Sequence, residues 1–250
     1  MNLVWLSANK LGHELLKEAL KIDGISIDAV ITLNEDSKTV MYDGISKKKW
    51  YDLGIKVYEI KNINEEEDLI KSLSPDYIFL CGWRQIVKKN ILDIPKKGTI
   101  GFHPTLLPKG RGPSPIINSI ISGFKDSGLT MFFISEGLDD GDIISQEKFI
   151  IRKDDYAHDV YEKVIHSGKR LIKKNISLLA EHGYLKRKPQ DEYRATIFPK
   201  RSLKDNKIDL ENESIECIYN KIRALSRPYK GAYLEKNGEK LIIWKAEIKK

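Results

Sequence analysis

Short apolar runs alternate with segments of helical periodicity along the first eighty residues, and this alternation constrains the fold more than any other feature. Residues 3–7, 27–33, 56–60 and 77–81 are apolar runs of strand length, with a predicted loop at residues 34–49 between the second and third runs, and residues 65–73 have helical character. Another helical segment lies between the first two runs, where five apolar residues predict one buried face: Leu11, Leu15, Leu16, Ala19 and Leu20. Strands that alternate with helices predict an α/β fold with a parallel sheet.

The second half of the chain adds a long helix and a small appendage. Residues 156–181 have the periodicity of a helix that ends near Gly183. A helix over residues 215–225 follows, and then two strand-like runs that flank Asn237 and Gly238, a pair typical of a β-hairpin turn. We therefore predict a Rossmann-like, mostly parallel sheet with a small C-terminal helix and β-hairpin, although the Gly-x-Gly-x-x-Gly dinucleotide fingerprint is missing. The predicted domains are the sheet domain, a linker and a small α+β subdomain, at residues 1–183, 184–204 and 205–250.

The charge balance of the chain is basic but mixed. With 43 Lys and Arg against 36 Asp and Glu, the 250 residues carry a net charge of +7 and a pI near 9.1. Basic residues alternate with acidic ones, as in residues 61–71, and the densest basic groups, at residues 47–49 and 186–188, have few aromatic neighbours. This pattern favours a solvated surface over a nucleic-acid-binding face, so a nucleic-acid partner is not expected.

Cysteine and histidine usage predicts neither disulfides nor a metal site. Cys81 and Cys217 lie far apart in the sequence, and both are expected in apolar, structural surroundings. The histidines show no zinc-ligand spacing: His13, His103, His158, His166 and His182. The first apolar run is too short for a signal peptide or a membrane span, so we expect a cytoplasmic protein with no membrane partner.

A lone histidine and a cluster of carboxylates are the candidate chemical groups. Residues 99–102 suit a buried strand and Pro104 favours extended geometry, so His103 should emerge at a strand end, where open α/β sheets place their chemistry. Three carboxylates follow the apolar run at residues 129–134, on a predicted turn between two strands: Asp139, Asp140 and Asp142. One of these acids could orient His103. Taken singly, each feature is more often an ordinary loop histidine or an Asx-type turn.

Two further loops meet the same predicted sheet edge. Residues 82–86, Gly-Trp-Arg-Gln-Ile, directly follow the run at 77–81, and their polar and aromatic character suits a flat heterocycle. A glycine-rich loop at residues 109–113 leads into a predicted helix at residues 116–121, where Arg111 could receive phosphate oxygens. From the residues alone, a structural turn in which Arg111 bridges to an acid is equally consistent with the sequence.

The segments around His103 and Asp139 resemble the signature of the folate-dependent formyltransferases. That family carries Asn-x-His-x-Ser/Thr-Leu-Leu-Pro and later Gly-x-Asp-x-Gly-Asp; this chain has Gly-Phe-His-Pro-Thr-Leu-Leu-Pro at residues 101–108 and Gly-Leu-Asp-Asp-Gly-Asp at residues 137–142. The resemblance covers nearly the whole chain. It implies formyl transfer from 10-formyltetrahydrofolate to an amine, with His103 and Asp139 as catalytic residues and no metal. The implied folate-binding residues are Gly82, Trp83, Arg84, Gln85, Ile86 and Asp142.

Gly101 departs from this signature. It stands where the family has a catalytic Asn, whose amide is thought to bind the formyl oxygen as negative charge develops. Loss of one such donor typically costs about 100- to 1,000-fold in rate. Three substitutes remain open at this point: the amide of Gln85, a backbone amide near Gly101, or His103 in its protonated form.

The C-terminal runs at residues 227–232 and 241–246 resemble the nucleotide-sugar N-formyltransferases. This resemblance implies that the acceptor is the amine of a UDP- or dTDP-linked amino-deoxy sugar, for surface glycan or nonulosonic acid synthesis, and that the protein could form a homodimer. The predicted substrate contacts are Asn9, Lys10, Arg111 and Tyr229.

Other functions are carried as alternatives. The related methionyl-tRNA formyltransferases are longer, with a C-terminal barrel of about five strands in place of the apparent hairpin, so tRNA is the runner-up acceptor. The missing Asn also allows a non-catalytic protein that binds folate or a nucleotide sugar. Glycinamide ribonucleotide formylation is a third choice, which the C-terminal extension disfavours.

Overall fold

A seven-stranded sheet forms the centre of the molecule, in a computed structural model that describes residues 1–37 and 43–249. Its strands are β1 (Asn2–Leu6), β2 (Ser26–Leu33), β3 (Lys56–Ile60), β4 (Tyr77–Leu80), β5 (Gly98–His103), β6 (Asp126–Phe133) and β7 (Ile143–Ile150). They lie in the order β3-β2-β1-β4-β5-β6-β7; pairing is parallel from β3 to β5 and antiparallel for β6 and β7. The predicted mostly parallel α/β sheet is confirmed.

Helices cover both faces of this sheet. They are α1 (Lys10–Ala19), α2 (Lys48–Tyr51), α3 (Glu67–Leu73), α4 (Lys89–Leu92), α5 (Pro115–Ile121), α6 (Ala157–His182) and α7 (Ile215–Leu225). One face carries α1, α5 and α6 over a core in which Trp5 and Phe79 stack with ring centroids 5.2 Å apart. The other face carries α3 and α4 over a smaller aliphatic core. Both faces of the parallel strands are therefore buried, as their continuous apolar runs predict.

The first helix follows its predicted face with one exception. Asn9 caps α1, with its Oδ1 accepting a hydrogen bond from the Gly12 amide at 3.0 Å. Leu11, Leu15, Leu16 and Ala19 are buried. The inclusion of Leu20 was wrong, because the helix ends one residue earlier and Leu20 is 38% exposed.

The predicted loop at residues 34–49 differs in part from the structure. Residues 38–42 lie outside the described part of the chain. Near its end, the predicted loop overlaps α2, a single turn that buries Trp50. At the end of the sheet domain, the predicted long helix is confirmed as α6, which stops at Gly183 with φ of 77°, a left-handed conformation that favours glycine.

The C-terminal part matches its prediction closely. Helix α7 is found as predicted, and Asn237 and Gly238, with φ of 53° and 83°, turn β8 (Ala232–Lys236) into β9 (Glu239–Ile243). Residues 184–204 follow the sheet domain closely, with Lys188 pairing with Ile143 and Ile197 pairing with Arg111. The division into three domains stays a prediction.

The two cysteines have different surroundings. Cys81 is buried, as predicted, and burial raises the pKa of its thiol well above the ordinary value. Cys217 is exposed on α7, so its predicted apolar surroundings were wrong. Within residues 1–37 and 43–249, no helix combines the length and the apolar character that a bilayer crossing requires.

Candidate active site

His103 and Asp139 lie side by side over the sheet. His103 is the last residue of β5 and is only 6% exposed, and its Nδ1 lies 3.5 Å from Oδ2 of Asp139. Phe133, the last residue of β6, pairs with Ile100 of β5, and the connection from β6 to β7 that begins there carries Asp139. Asp139 has φ of 51°, a conformation uncommon outside glycine.

One short loop holds both side chains through its backbone. The Gly110 carbonyl oxygen lies 2.7 Å from Nε2 of His103, and the Gly112 amide donates to Oδ2 of Asp139 at 2.8 Å. Gly110 has φ of 73°, and a Cβ at this position would lie 2.6 Å from the Phe198 ring. The glycines predicted here as turn formers therefore also allow the close approach that places the backbone against His103 and Asp139.

The contacts of His103 define the tautomer of its neutral ring. A carbonyl oxygen can only accept, so Nε2 carries the proton that it donates to Gly110, and Nδ1 of the neutral ring presents its lone pair toward Asp139. Burial lowers the pKa of His103 below 6.5, although Asp139 and the Gly110 carbonyl act in the opposite direction. Neutral imidazole is therefore the main form at neutral pH, which argues against protonated His103 as the substitute for the missing Asn.

An apolar side chain occupies the space next to Gly101. Gly101 shares its sheet face with His103, two residues further along β5, because alternate residues of a strand face the same side. A Cβ at Gly101 would lie 2.4 Å from Cδ1 of Ile134 and 3.3 Å from Cε1 of Phe132. Ile134 therefore occupies space that a longer side chain at position 101 would need.

A cavity of about 210 Å³, called here the central cavity, opens close to His103, although neither His103 nor Asp139 lines it. Phe102 and Pro104, the neighbours of His103 in sequence, line it. Five of the predicted binding residues also line it: Asn9, Gly82, Trp83, Arg84 and Tyr229. Among the described residues, Nε1 of Trp83 is a buried donor with no hydrogen-bond partner. A buried donor of this kind is costly unless a ligand or water satisfies it.

Asp43 connects three residues of the cavity wall. Its carboxylate accepts hydrogen bonds from Asn9 at 2.8 Å, from Arg84 at 2.7 Å and from the hydroxyl of Tyr161 at 2.5 Å. Burial, together with the negative charge of Asp43, raises the pKa of Tyr161 far above its ordinary value, so the phenol stays protonated and donates. The amide of Leu11 donates to the same phenol oxygen at 3.0 Å. This network fixes the side chains that face the cavity.

Comparison with known families identifies the chain. Residues 4–176 match the family described as formyl transferase, and residues 201–250 match the formyl transferase C-terminal domain. The chain belongs to the formyl transferase family. The family resemblance predicted from the residues around His103 and Asp139 is confirmed, and the protein is an enzyme of the formyltransferase class.

Curated relatives of this formyltransferase include two kinds of protein. The bifunctional polymyxin resistance protein ArnA of Wigglesworthia glossinidia brevipalpis is 33% identical over 99% of this chain, which spans 38% of the length of ArnA. The methionyl-tRNA formyltransferase of Halothermothrix orenii is 33% identical over 99% of this chain and 79% of its own length.

Solved structures share the fold. A sugar N-formyltransferase from Shewanella superposes with a TM-score of 0.77 and 22% identity, over 100% of this chain and 99% of the other. The N-formyltransferase of Helicobacter canadensis, solved with folinic acid and dTDP-3-aminofucose, superposes with a TM-score of 0.72 and 24% identity, over 96% of this chain and 86% of the other.

Three predicted binding residues of this formyltransferase do not line the central cavity. Gln85 accepts from the Ile63 amide at 2.9 Å and donates to the Lys61 carbonyl at 2.7 Å, so its amide holds neighbouring backbone and is no substitute for the Asn missing at Gly101. Ile86 is 86% exposed. Arg111, predicted as a substrate contact, is 6% exposed and forms an ion pair with Glu192 at 2.6 Å, which is the structural alternative that the sequence also allowed.

Two more predicted residues, Lys10 and Asp142, are also absent from the wall of the central cavity. Nζ of Lys10 pairs with Glu162 at 2.5 Å and lines a second cavity of about 390 Å³, which shares Asp43, Tyr161 and Pro228 with the central one. Asp142 lies at the start of β7, with a carboxylate oxygen 3.5 Å from Nε of Arg187.

A third cavity adjoins the second one. It has a volume of about 630 Å³ and shares His158 and Arg227 with the second cavity. Its wall includes Trp244, over whose ring the Arg227 guanidinium lies at 4.9 Å. We call the second and third cavities together the basic groove. Within residues 1–37 and 43–249, no group of three His, Cys, Asp or Glu side chains is arranged to hold a metal.

Sequence reasoning missed three residues of this site. Asp43 stands in a predicted loop without a motif, and Tyr161 is a single polar-tipped residue on the buried side of α6. Gln190 lies in the predicted linker, 51 residues from Asp139, whose carbonyl it contacts. A polar tip within an apolar helix face could have indicated Tyr161, whereas no local pattern pointed to Asp43 or Gln190.

Proposed function

We propose that this formyltransferase moves a formyl group from 10-formyltetrahydrofolate to the primary amine of a nucleotide-linked amino-deoxy sugar, with His103 and Asp139 as the catalytic pair. The observation that carries the proposal is the basic groove, which continues from the central cavity beside His103. The printed description of the Helicobacter structure, with folinic acid and dTDP-3-aminofucose bound, supports both substrates by analogy.

The groove has the chemistry that a sugar nucleotide requires. Lys49 and Arg227 contribute positive charge for a diphosphate, and Lys10 lies beside them in its ion pair with Glu162. Trp244 provides an aromatic surface for a base, and Asp154 and Asp159 offer acceptors for ribose hydroxyls. We therefore assign the sugar to the junction with the central cavity, near Asn9 and Tyr229, and the nucleotide to the groove. Trp83 and Arg84 are left for the folate, as the sequence predicts.

The proposed chemistry uses His103 as a proton acceptor. The neutral amine attacks the formyl carbon on N10 of the folate, which gives a tetrahedral intermediate with an ammonium nitrogen. Nδ1 of His103 takes the ammonium proton, and Asp139 stabilises the imidazolium that results. The same proton then passes to N10 as the bond from carbon to N10 breaks, so that the N-formyl sugar and tetrahydrofolate leave and His103 returns to its neutral form.

This role gives a defined pH dependence. The neutral form of His103 is required, and its pKa is lowered below 6.5, so kcat/KM should show a loss as the pH drops through a value under 6.5, in addition to the loss caused by protonation of the acceptor amine. Asp139 raises the pKa of His103, so Asp139→Asn should move this acidic limb to still lower pH, besides reducing the rate. A rate profile from about pH 5 to 8 measures both. A rate that rises as the pH falls would show that protonated His103 is the active form.

Trp83 gives a second prediction. Its Nε1 is buried and lacks a partner among the described residues, so Trp83→Phe removes a donor without breaking a bond of the free protein. If the folate satisfies this donor, the KM for the folate should rise about five- to tenfold, while the free energy of unfolding stays within about 0.5 kcal/mol. Trp244→Phe in the basic groove is the control and should leave the folate KM unchanged. An unchanged folate KM in Trp83→Phe would remove Trp83 from the folate site.

The acceptor is tested directly. Purified protein is mixed with 10-formyltetrahydrofolate and a panel of UDP- and dTDP-linked 3- and 4-amino sugars, or with initiator methionyl-tRNA; tetrahydrofolate release and product mass are then measured. The proposal expects a sugar product that has gained one formyl mass. Folate binding without a product from any acceptor would favour a non-catalytic binding protein.

Methionyl-tRNA formylation is the second candidate. The observation that favours it is the 33% identity to a methionyl-tRNA formyltransferase over 99% of this chain. A tRNA enzyme should bind initiator tRNA tightly and with a steep loss of affinity as salt rises, whereas the sugar enzyme should bind it weakly and without preference. The homodimer and the cytoplasmic location stay predictions.

A further inference from the structure

Gln190 makes four hydrogen bonds next to the pair of His103 and Asp139. Its Nε2 donates to the carbonyl oxygens of Asp139 and Gly141, each at 2.8 Å. Its Oε1 accepts from Nε of Arg111 at 3.1 Å and from Nη2 of Arg111 at 2.9 Å. Both amide hydrogens and both acceptor positions of the side chain are therefore in use.

These contacts are made to the turn at residues 139–142, which we call the acidic turn and whose backbone is strained at Asp139. Asp139 has φ of 51°, and such a conformation persists where surrounding contacts enforce it. Gly141 lies against the Phe133 carbonyl, where a Cβ would be 1.9 Å away, so the turn is also packed tightly on β6. By holding the carbonyls of Asp139 and Gly141, Gln190 fixes the direction in which the Asp139 carboxylate leaves the backbone.

The other end of Gln190 reaches the loop that holds His103. Arg111 lies between Gly110, whose carbonyl accepts from His103, and Gly112, whose amide donates to Asp139. The backbone of Arg111 is itself tied to the segment after Gln190, donating to Thr196 at 2.9 Å and accepting from Phe198 at 2.8 Å. One side chain thus connects the turn that carries Asp139 to the loop whose backbone hydrogen-bonds the side chains of His103 and Asp139.

We propose that Gln190 is a positioning residue that keeps the Asp139 carboxylate against His103, so the segment called a linker from sequence is part of the catalytic apparatus. This rests on the proposed catalytic role of the pair. The Nε2 amide group of Gln190, which donates to Asp139 and Gly141, holds the acidic turn in place. Its Oε1, which accepts from Arg111, anchors the segment around Gln190 to the loop at residues 109–113.

Two variants separate these halves. Gln190→Ala removes both, whereas Gln190→Glu keeps an acceptor for Arg111 and loses the donor to the two carbonyls. We expect both variants to lower kcat about 10- to 100-fold with little change in either KM, since substrate-binding residues are untouched. Tyr193→Ala is the control, because Tyr193 lies in the same segment and is fully exposed; it should leave kcat unchanged.

A readout without turnover makes the test independent of the acceptor. The histidine ring signals are titrated by NMR, with the His103 signal identified by its absence from His103→Ala. When Asp139 is no longer held close, its raising effect is lost, so the pKa of His103 should fall further in Gln190→Ala. The added carboxylate of Gln190→Glu would itself raise this pKa, so that variant is judged by its kcat. If Gln190→Ala does not fold, Gln190→Glu still decides the question.

Two outcomes would overturn the proposal. The first is a wild-type pKa of His103 in folded Gln190→Ala. The second is a Gln190→Glu variant with wild-type kcat, which would show that Gln190 serves only to bind Arg111. A wild-type enzyme that formylates no acceptor would instead refute the proposed function, and the titration would still report whether Gln190 positions Asp139.

Discussion

Replacement of His103 by alanine is expected to lower kcat by about 100- to 10,000-fold, the range typical of a lost general acid–base group. His103 is the only histidine that the described structure places against a carboxylate of the acidic turn, with Nδ1 3.5 Å from Asp139. No nearby side chain in the described residues offers a second neutral base at this position. Steady-state kinetics with the accepted sugar nucleotide measures the effect.

The control for His103 separates chemistry from folding. His103→Ala leaves the buried Gly110 carbonyl with only the long 3.4 Å hydrogen bond from the Thr105 hydroxyl, which costs about 1 to 3 kcal/mol of stability. His103→Gln can restore a donor to that carbonyl but has no basic nitrogen, so it should be more stable and equally inactive. His182→Gln, on the exposed end of α6, should keep wild-type kcat. Wild-type-like turnover in folded His103→Gln would remove His103 from the mechanism.

Restoring an amide at position 101 is the second prediction with a large effect. The family's Asn is replaced by Gly101, and Ile134 lies where the new side chain would go. Gly101→Asn alone should be destabilised by about 1 to 3 kcal/mol through overpacking. In the double variant with Ile134→Ala the amide has room, and kcat should rise about 10- to 100-fold above that of Ile134→Ala alone, since one oxyanion donor contributes a factor of about 100 to 1,000 at most.

Two comparisons separate the effect of the amide from the effect of filling the space at position 101. Gly101→Ala with Ile134→Ala fills the same space without a donor, so it should show no rise in kcat. If the Asn double variant also shows none while it stays folded, this enzyme already has a full set of oxyanion donors. The backbone near Gly101 or the unpartnered Nε1 of Trp83 would then be the group to test.

The sheet could be predicted from the sequence because its signal is local. The central parallel strands are short apolar runs buried on both faces, and their ends are marked by polar or glycine residues. Strands β1 to β4 therefore appear within one residue of their predictions. The hairpin was equally local, since Asn237 and Gly238 suit its turn. The prediction for Leu20 was wrong because the apolar pattern of a helix does not show where the helix ends. The prediction for Cys217 was wrong because the residue type does not show whether its position on a helix faces solvent.

The site was predictable only in part. The chain around His103 and Asp139 carries a recognisable signature, and their approach follows from the strand order. Asp43, Tyr161 and Gln190 depend on contacts between residues far apart in sequence, as between Gln190 and Asp139. Arg111 illustrates the limit: its residue type suits phosphate, but Glu192 and Gln190 bind its guanidinium in the folded chain.

A competition between acceptors tests the central claim most directly. The wild-type enzyme receives 10-formyltetrahydrofolate with a ¹³C-labelled formyl group, together with equal concentrations of the best amino-sugar nucleotide and initiator methionyl-tRNA. The account predicts that the label appears as an N-formyl sugar, and that His103→Gln abolishes this transfer. Label on methionyl-tRNA, with none on the sugar, would contradict it.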